Sequence, residues 1–143
     1  MRIINLTMCL LAGAIVSQSP VQAQEMTLGQ FEYQNSCVAC HGTSGKGDGP
    51  VTDFLSGAVV PDLTMLQSNN GGVFPVTAVY ETVEGSDVAS AHGTRDMPIW
   101  GDQFQQRAMR SRDPQFSSGE SIEEFAQARI LALIEYLASI QVQ

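Results

Sequence analysis

The sequence predicts an all-α fold. Three observations carry this reading: a C-terminal stripe of apolar residues at helical spacing, a series of short segments punctuated by Gly and Pro, and the lack of any convincing strand pair. The 143 residues suit one domain, and 43% hydrophobic residues suffice for a small core. No internal repeat is present.

The elements follow in order. Residues 1–23 read as a cleaved secretory signal: Arg2 is the positive n-region, Ile3 to Val16 the apolar stretch, and Val21-Gln22-Ala23 a small-residue cleavage site. The apolar stretch is short, and lies too close to polar Ser17 and Gln18, for a transmembrane helix. A retained N-terminal anchor is the rival reading. Cys9 falls inside the apolar stretch rather than at a cleavage site, so it marks no lipid anchor. Processing leaves residues 24–143 as the exported domain, with a periplasmic location.

Residues 24–36 read as a short helix running into two cysteines, with Leu28, Phe31 and Tyr33 available for burial. Gly42 to Gly49 form a glycine-rich, flexible connection stopped by Pro50; it lacks the Gly-Lys-Ser/Thr of a phosphate loop. Residues 52–56 make a helical turn. Pro61-Asp62-Leu63-Thr64 opens another short helix, ended by the Asn69 to Gly72 cluster. Pro75 sits near the start of a third, whose Val76, Val79, Tyr80 and Val83 share one face before Gly85 closes it. Residues 86–119 carry no sustained period. The last helix is the strongest. Ser121 and Glu124 form a capping-box pattern, and Phe125, Ile130, Leu133, Ile134, Leu137 and Ile140 make the apolar stripe.

The formal net charge is −8, and removal of the signal takes away Arg2 but no acidic residue, leaving −9. Such a chain is a poor candidate for nucleic acid or an anionic membrane and should seek basic partner surfaces. Processing also removes Cys9, leaving Cys37 and Cys40. Two cysteines three apart in an oxidising compartment fit a disulfide, a redox pair or a cofactor site.

The next residue separates these. Cys37-Val38-Ala39-Cys40-His41 is the C-x-x-C-H attachment signature of c-type haem. On a helical turn, residues i and i+3 share a face, so both thiols reach the vinyl groups of one haem, and His41 at i+4 points to the iron. A zinc site would need all four of the two His and two remaining Cys, and His41 directly beside Cys40 makes a poor tetrahedral partner. A thioredoxin-like pair would want a βαβ context.

For the sixth iron position the usual protein ligands are Met and His. The candidates are Met26, Met65, Met97, Met109 and His92. Met26 is too local to the attachment helix, Met65 lies within a short helix, and Met109 sits in an arginine-rich stretch without rigid framing. Met97 is favoured because Pro98 restricts its backbone in a segment free to wrap the distal face. His92 is the alternative.

At these residues the sequence resembles a class I cytochrome c, over most of residues 24–143. Gly29-x-x-x-Tyr33-x-x-x-Cys37 is similar to the family's approach to the haem, and the resemblance implies crossing N- and C-terminal helices with Tyr136 as the aromatic partner. Pro61-Asp62-Leu63 resembles the proline segment whose carbonyl accepts a hydrogen bond from the proximal His41; Pro50 competes for that role. Met97-Pro98-x-Trp100-Gly101 resembles the distal methionine loop, with Trp100 against the haem or one of its propionates, or else in the core. The fold implied is short helices and loops wrapped around one covalent haem. Residues 86–96 and 101–120 exceed a minimal distal loop. Lys46 is the only lysine, so the family's lysine-rich docking face is missing.

The activity implied is one-electron transfer between redox partner proteins, not enzyme catalysis. A dedicated cytochrome subunit of a dehydrogenase or oxidase is the alternative, and a haem-based sensor or peroxidase-like enzyme a further one. Arg95, Arg107, Arg110 and Arg112 concentrate positive charge near Met97. They would orient an acidic partner patch, or else pair with Asp96, Asp102 and Asp113.

Overall fold

The computed structural model describes residues 25–55, 59–86, 97–110 and 121–142. The signal segment, His92, Arg95, Asp96, Arg112 and Asp113 lie outside them. Among the described residues, six α-helices run in the order α1 (Leu28–Ser36), α2 (Val38–His41), α3 (Leu66–Asn69), α4 (Val76–Glu84), α5 (Trp100–Arg110) and α6 (Ile122–Ser139). Single 3₁₀ turns lie at Thr52–Phe54 and Leu63–Met65, and no strand occurs among the described residues.

α6 is the organising element. Its start is fixed by a capping box: Ser121 Oγ accepts from the Glu124 amide at 3.1 Å, and the Glu124 carboxylate accepts from the Ser121 amide at 2.8 Å. Its Phe125, Ala126, Ile130, Leu133, Ile134 and Leu137 are buried. Burial of each large aliphatic among them contributes about 1.5–3 kcal/mol. α1, α5 and α4 all pack on α6, so one helix carries the core.

α1 also begins with a capping box, Thr27 with Gln30. Its crossing with α6 is close because Gly29 has no side chain. A Cβ there would lie 2.1 Å from the Ala132 carbonyl oxygen and 2.9 Å from Tyr136 Cβ. The next turn brings Tyr33 against Tyr136, ring centroids 5.1 Å apart. Gly29→Ala should therefore force the two helices apart at a cost of about 3 kcal/mol, the upper part of the range for overpacked cores. Urea denaturation of the matured protein measures this as a lowered midpoint.

Several sequence expectations need correction: Leu28, Phe31 and Val76, offered for burial, are exposed. Residues 86–119 contain an eleven-residue helix, α5, and Met109 stands exposed on it rather than in an unframed stretch. The glycine-rich loop is not a loose connection. It folds back on α2 through Gly47 N to His41 O (3.0 Å), Gly49 N to Cys40 O (3.0 Å) and Val51 N to Ala39 O (2.9 Å). Gly49 allows that approach, since a Cβ would meet the Ala39 carbonyl oxygen at 2.4 Å.

Candidate functional site

Cys37 ends α1 and begins α2. Its amide donates to Tyr33 O at 2.9 Å, and its carbonyl accepts from the amides of Cys40 (3.2 Å) and His41 (2.9 Å). One turn thus carries all three residues of the motif, with the glycine loop buttressing it from behind. Above it, the buried Tyr33 hydroxyl donates to Gly42 O at 2.7 Å, and desolvation pushes the phenol above its ordinary pKa. No disulfide joins Cys37 and Cys40. Burial is the main reason that the Cys37 thiol is pushed up to about 12, with the nearby Glu32 charge adding to it.

His41 is buried, and its Nδ1 lies 3.3 Å from the Pro61 carbonyl oxygen. A carbonyl only accepts, so Nδ1 carries the proton and Nε2 keeps a lone pair. Desolvation holds the imidazole pKa below its usual value, partly opposed by the Pro61 bond. The ring is thus neutral, the form that ligates a metal.

The Pro61 segment is itself held at several points. Asp62 Oδ1 accepts from Thr64 N (2.8 Å) and Thr64 Oγ1 (2.6 Å), and Leu63 N donates to Gly45 O at 2.7 Å. From the C-terminus, Gln141 Nε2 donates to Leu63 O (2.7 Å), Gln141 Oε1 accepts from Gln67 N (2.8 Å), and Val142 N donates to Thr64 O (2.9 Å). The sequence offers no local signal that Gln141 holds this segment, because Leu63 and Gln67 lie more than seventy residues away from it.

These elements enclose two adjoining cavities. The larger, about 450 Å³, is lined by Cys37, Cys40, His41, Pro61, Met97 and Trp100, with Val51, Leu55, Val59, Val60 and Pro98 among the apolar walls. The second, about 260 Å³, shares Cys37, His41, Pro61 and Met97 and adds Leu63, Leu66, Val79, Val83, Leu133 and Leu137. The larger cavity falls within the roughly 300–1,000 Å³ that ligand sites span. Of the methionines weighed above, Met97 borders both cavities. Met26 and Met109 are exposed, and Met65 lines neither cavity. Trp100 begins α5 and stacks toward Phe104, centroids 6.1 Å apart.

The donor set is two thiols, one neutral imidazole and one thioether around a largely apolar space. That set suits a large apolar group with a metal at its centre and two thiol-reactive positions. Among the described residues no group of three or more His, Cys, Asp or Glu side chains is placed to hold a bare metal ion. No described helix is long and apolar enough to cross a membrane.

Sequence reasoning missed a second polar cluster beside the site. Glu32 on α1 is fully buried, its carboxylate bound by Arg107 Nη1 of α5 at 2.7 Å and by Arg129 Nη1 of α6. Arg107, expected on a docking surface or beside an aspartate, is thereby committed to an internal partner.

Fold and site together define a small all-α protein built around a thiol–imidazole–thioether cavity. The family model for cytochrome c matches residues 26–141, and the chain belongs to the cytochrome c family. No curated protein and no solved structure matches it. As a cytochrome c it binds covalent haem c with its iron and serves haem-based electron transfer with redox partners.

Proposed function

We propose that this protein is a periplasmic one-electron carrier whose single haem c is joined to the thiols of Cys37 and Cys40, with His41 and Met97 as axial iron ligands. The observation that carries the proposal is the convergence of Cys37, Cys40, His41 and Met97 on one cavity. The signal-like residues 1–23 support export.

When bound, the haem supplies reversible one-electron chemistry at its iron. The chain's own residues do the rest. Cys37 and Cys40, on one helical turn, fix the group's position, and the Pro61 carbonyl fixes the plane of the His41 ring and raises its basicity. Gln141 and Val142 tie the Pro61 segment to the C-terminus. Leu63, Val79, Val83, Leu133 and Leu137 exclude water, and low polarity together with a thioether ligand favours a raised potential. Trp100 closes the other wall. Two protein ligands leave no position for substrate, which fits a carrier rather than a haem enzyme or gas sensor.

The test is exposure of the reduced, matured protein to carbon monoxide. A carrier with both ligands in place keeps its six-coordinate spectrum. Rapid, complete formation of the carbonyl adduct would favour the sensor or enzyme reading instead.

A further inference from the structure

A buried carboxylate is costly unless its oxygens are paired. Glu32 is buried completely, and its two oxygens are divided between two helices: Oε2 takes Arg107 of α5, Oε1 takes Arg129 of α6. The two arginines differ in what lies behind them. The Arg129 guanidinium sits 3.9 Å over the Phe125 ring, at the start of α6. The Arg107 guanidinium sits 5.3 Å from the Phe104 ring centroid, and Phe104 in turn neighbours Trp100, which lines the cavity.

Trp100, Phe104 and Arg107 stand at i, i+4 and i+7, one face of α5. That face is a continuous ladder from the cavity wall to Glu32. Met97 precedes its first rung by three residues, across Pro98, which restricts the intervening backbone. At the other end, Glu32 lies five residues before Cys37 on the helix that leads into the attachment turn.

We propose that the Arg107–Glu32 ion pair is a latch that holds α5, and through it Met97, against the cavity. Glu32 and Arg107 are positioning residues for the distal ligand. The inference rests on the reading of Met97 as iron ligand and adds what keeps it in place. An external ligand binds the iron only when Met97 has swung away, so its apparent affinity scales with the fraction of molecules in that open state. Loss of the latch raises that fraction. Loss of the Arg129 contact removes a similar bond from Glu32 but leaves α5 anchored.

The experiment is imidazole titration of the matured ferric protein, followed through the sulfur-to-iron charge-transfer band, for wild type, Arg107→Gln, Arg129→Gln and Arg107→Lys. Arg107→Gln is expected to bind imidazole about tenfold more tightly, within the usual span of coupling free energies. Arg129→Gln should stay within about twofold of wild type, and Arg107→Lys, which keeps the charge but loses the guanidinium fork, should bind imidazole more tightly than wild type by a smaller factor than Arg107→Gln. A merely structural role predicts similar changes for both Gln variants. That result, or an unchanged affinity in Arg107→Gln, overturns the latch. If either Gln variant fails to fold, Arg107→Lys and Arg129→Lys provide the same comparison: a change confined to Arg107→Lys supports the latch, and equal affinities overturn it. Met97→Ala guards the premise. A charge-transfer band that survives in Met97→Ala refutes the ligand reading, whereas a band lost there with no effect of Arg107→Gln refutes the latch alone.

Discussion

Met97→Ala is expected to abolish the sulfur-to-iron charge-transfer band of the ferric protein and to open the reduced iron to carbon monoxide. Among the described residues, alanine removes the only thioether that borders the cavities, and no other described methionine is placed to replace it. Met26 and Met109 are exposed, and Met65 sits in the 3₁₀ turn after Pro61. The fold should persist, since Met97 lies outside the helices and is only partly buried. A weaker ligand field should also lower the reduction potential. Met65→Ala and Met109→Ala serve as controls, and loss of the band in either of them, with retention in Met97→Ala, would move the ligand elsewhere.

Glu32→Ala should produce the largest loss of stability among single replacements of charged residues. It leaves Arg107 and Arg129 facing one another without the carboxylate that both of them bind. Removing one member of a buried charge cluster costs about 3–5 kcal/mol. The lower end is expected, because the Arg107 and Arg129 side chains retain 39% and 20% exposure and so keep some hydration. That loss corresponds to a thermal midpoint lowered by roughly 10 °C. Glu32→Gln should lose less, as its amide oxygen still accepts one guanidinium bond. Equal midpoints for Glu32→Ala and wild type would show that the cluster contributes nothing.

The contrast between α6 and α5 shows what the sequence could reveal. α6 was legible because five large residues repeat on one face behind a capping box, so both its start and its buried side are written locally. α5 was not, because its buried face consists of Gly101, Phe104 and Ala108, with Trp100 partly covered and Arg107 turned inward. A face with one fully buried large apolar residue gives no period to detect. The inward arginine is explained only by Glu32, 75 residues away in the chain. Glu32 itself occupies a position that any polarity pattern assigns to the surface.

The site divides in the same way. The Cys37–His41 turn is local, and its spacing already fixes which side chains share a face. Tyr33 and Gly29 were reached through resemblance, and the structure supplies the physical reason in the close approach to Ala132 and Tyr136. The choice between Pro50 and Pro61 beside His41 depended on the path of the loop. Backbone bonds from Gly47, Gly49 and Val51 draw that loop behind α2, and the Leu63 amide bond to Gly45 brings the Pro61 carbonyl round to the ring. The apolar walls from α4 and α6 meet only after the chain has folded.

The central claim, a haem held covalently through Cys37 and Cys40, is tested most directly by partitioning the matured protein between acid and an organic solvent. Thioether bonds survive acid denaturation while axial ligation to His41 and Met97 does not. The colour should therefore remain with the unfolded polypeptide in the wild type and leave it in the Cys37→Ala, Cys40→Ala double variant. Haem that passes into the organic phase from the wild-type protein would contradict the account.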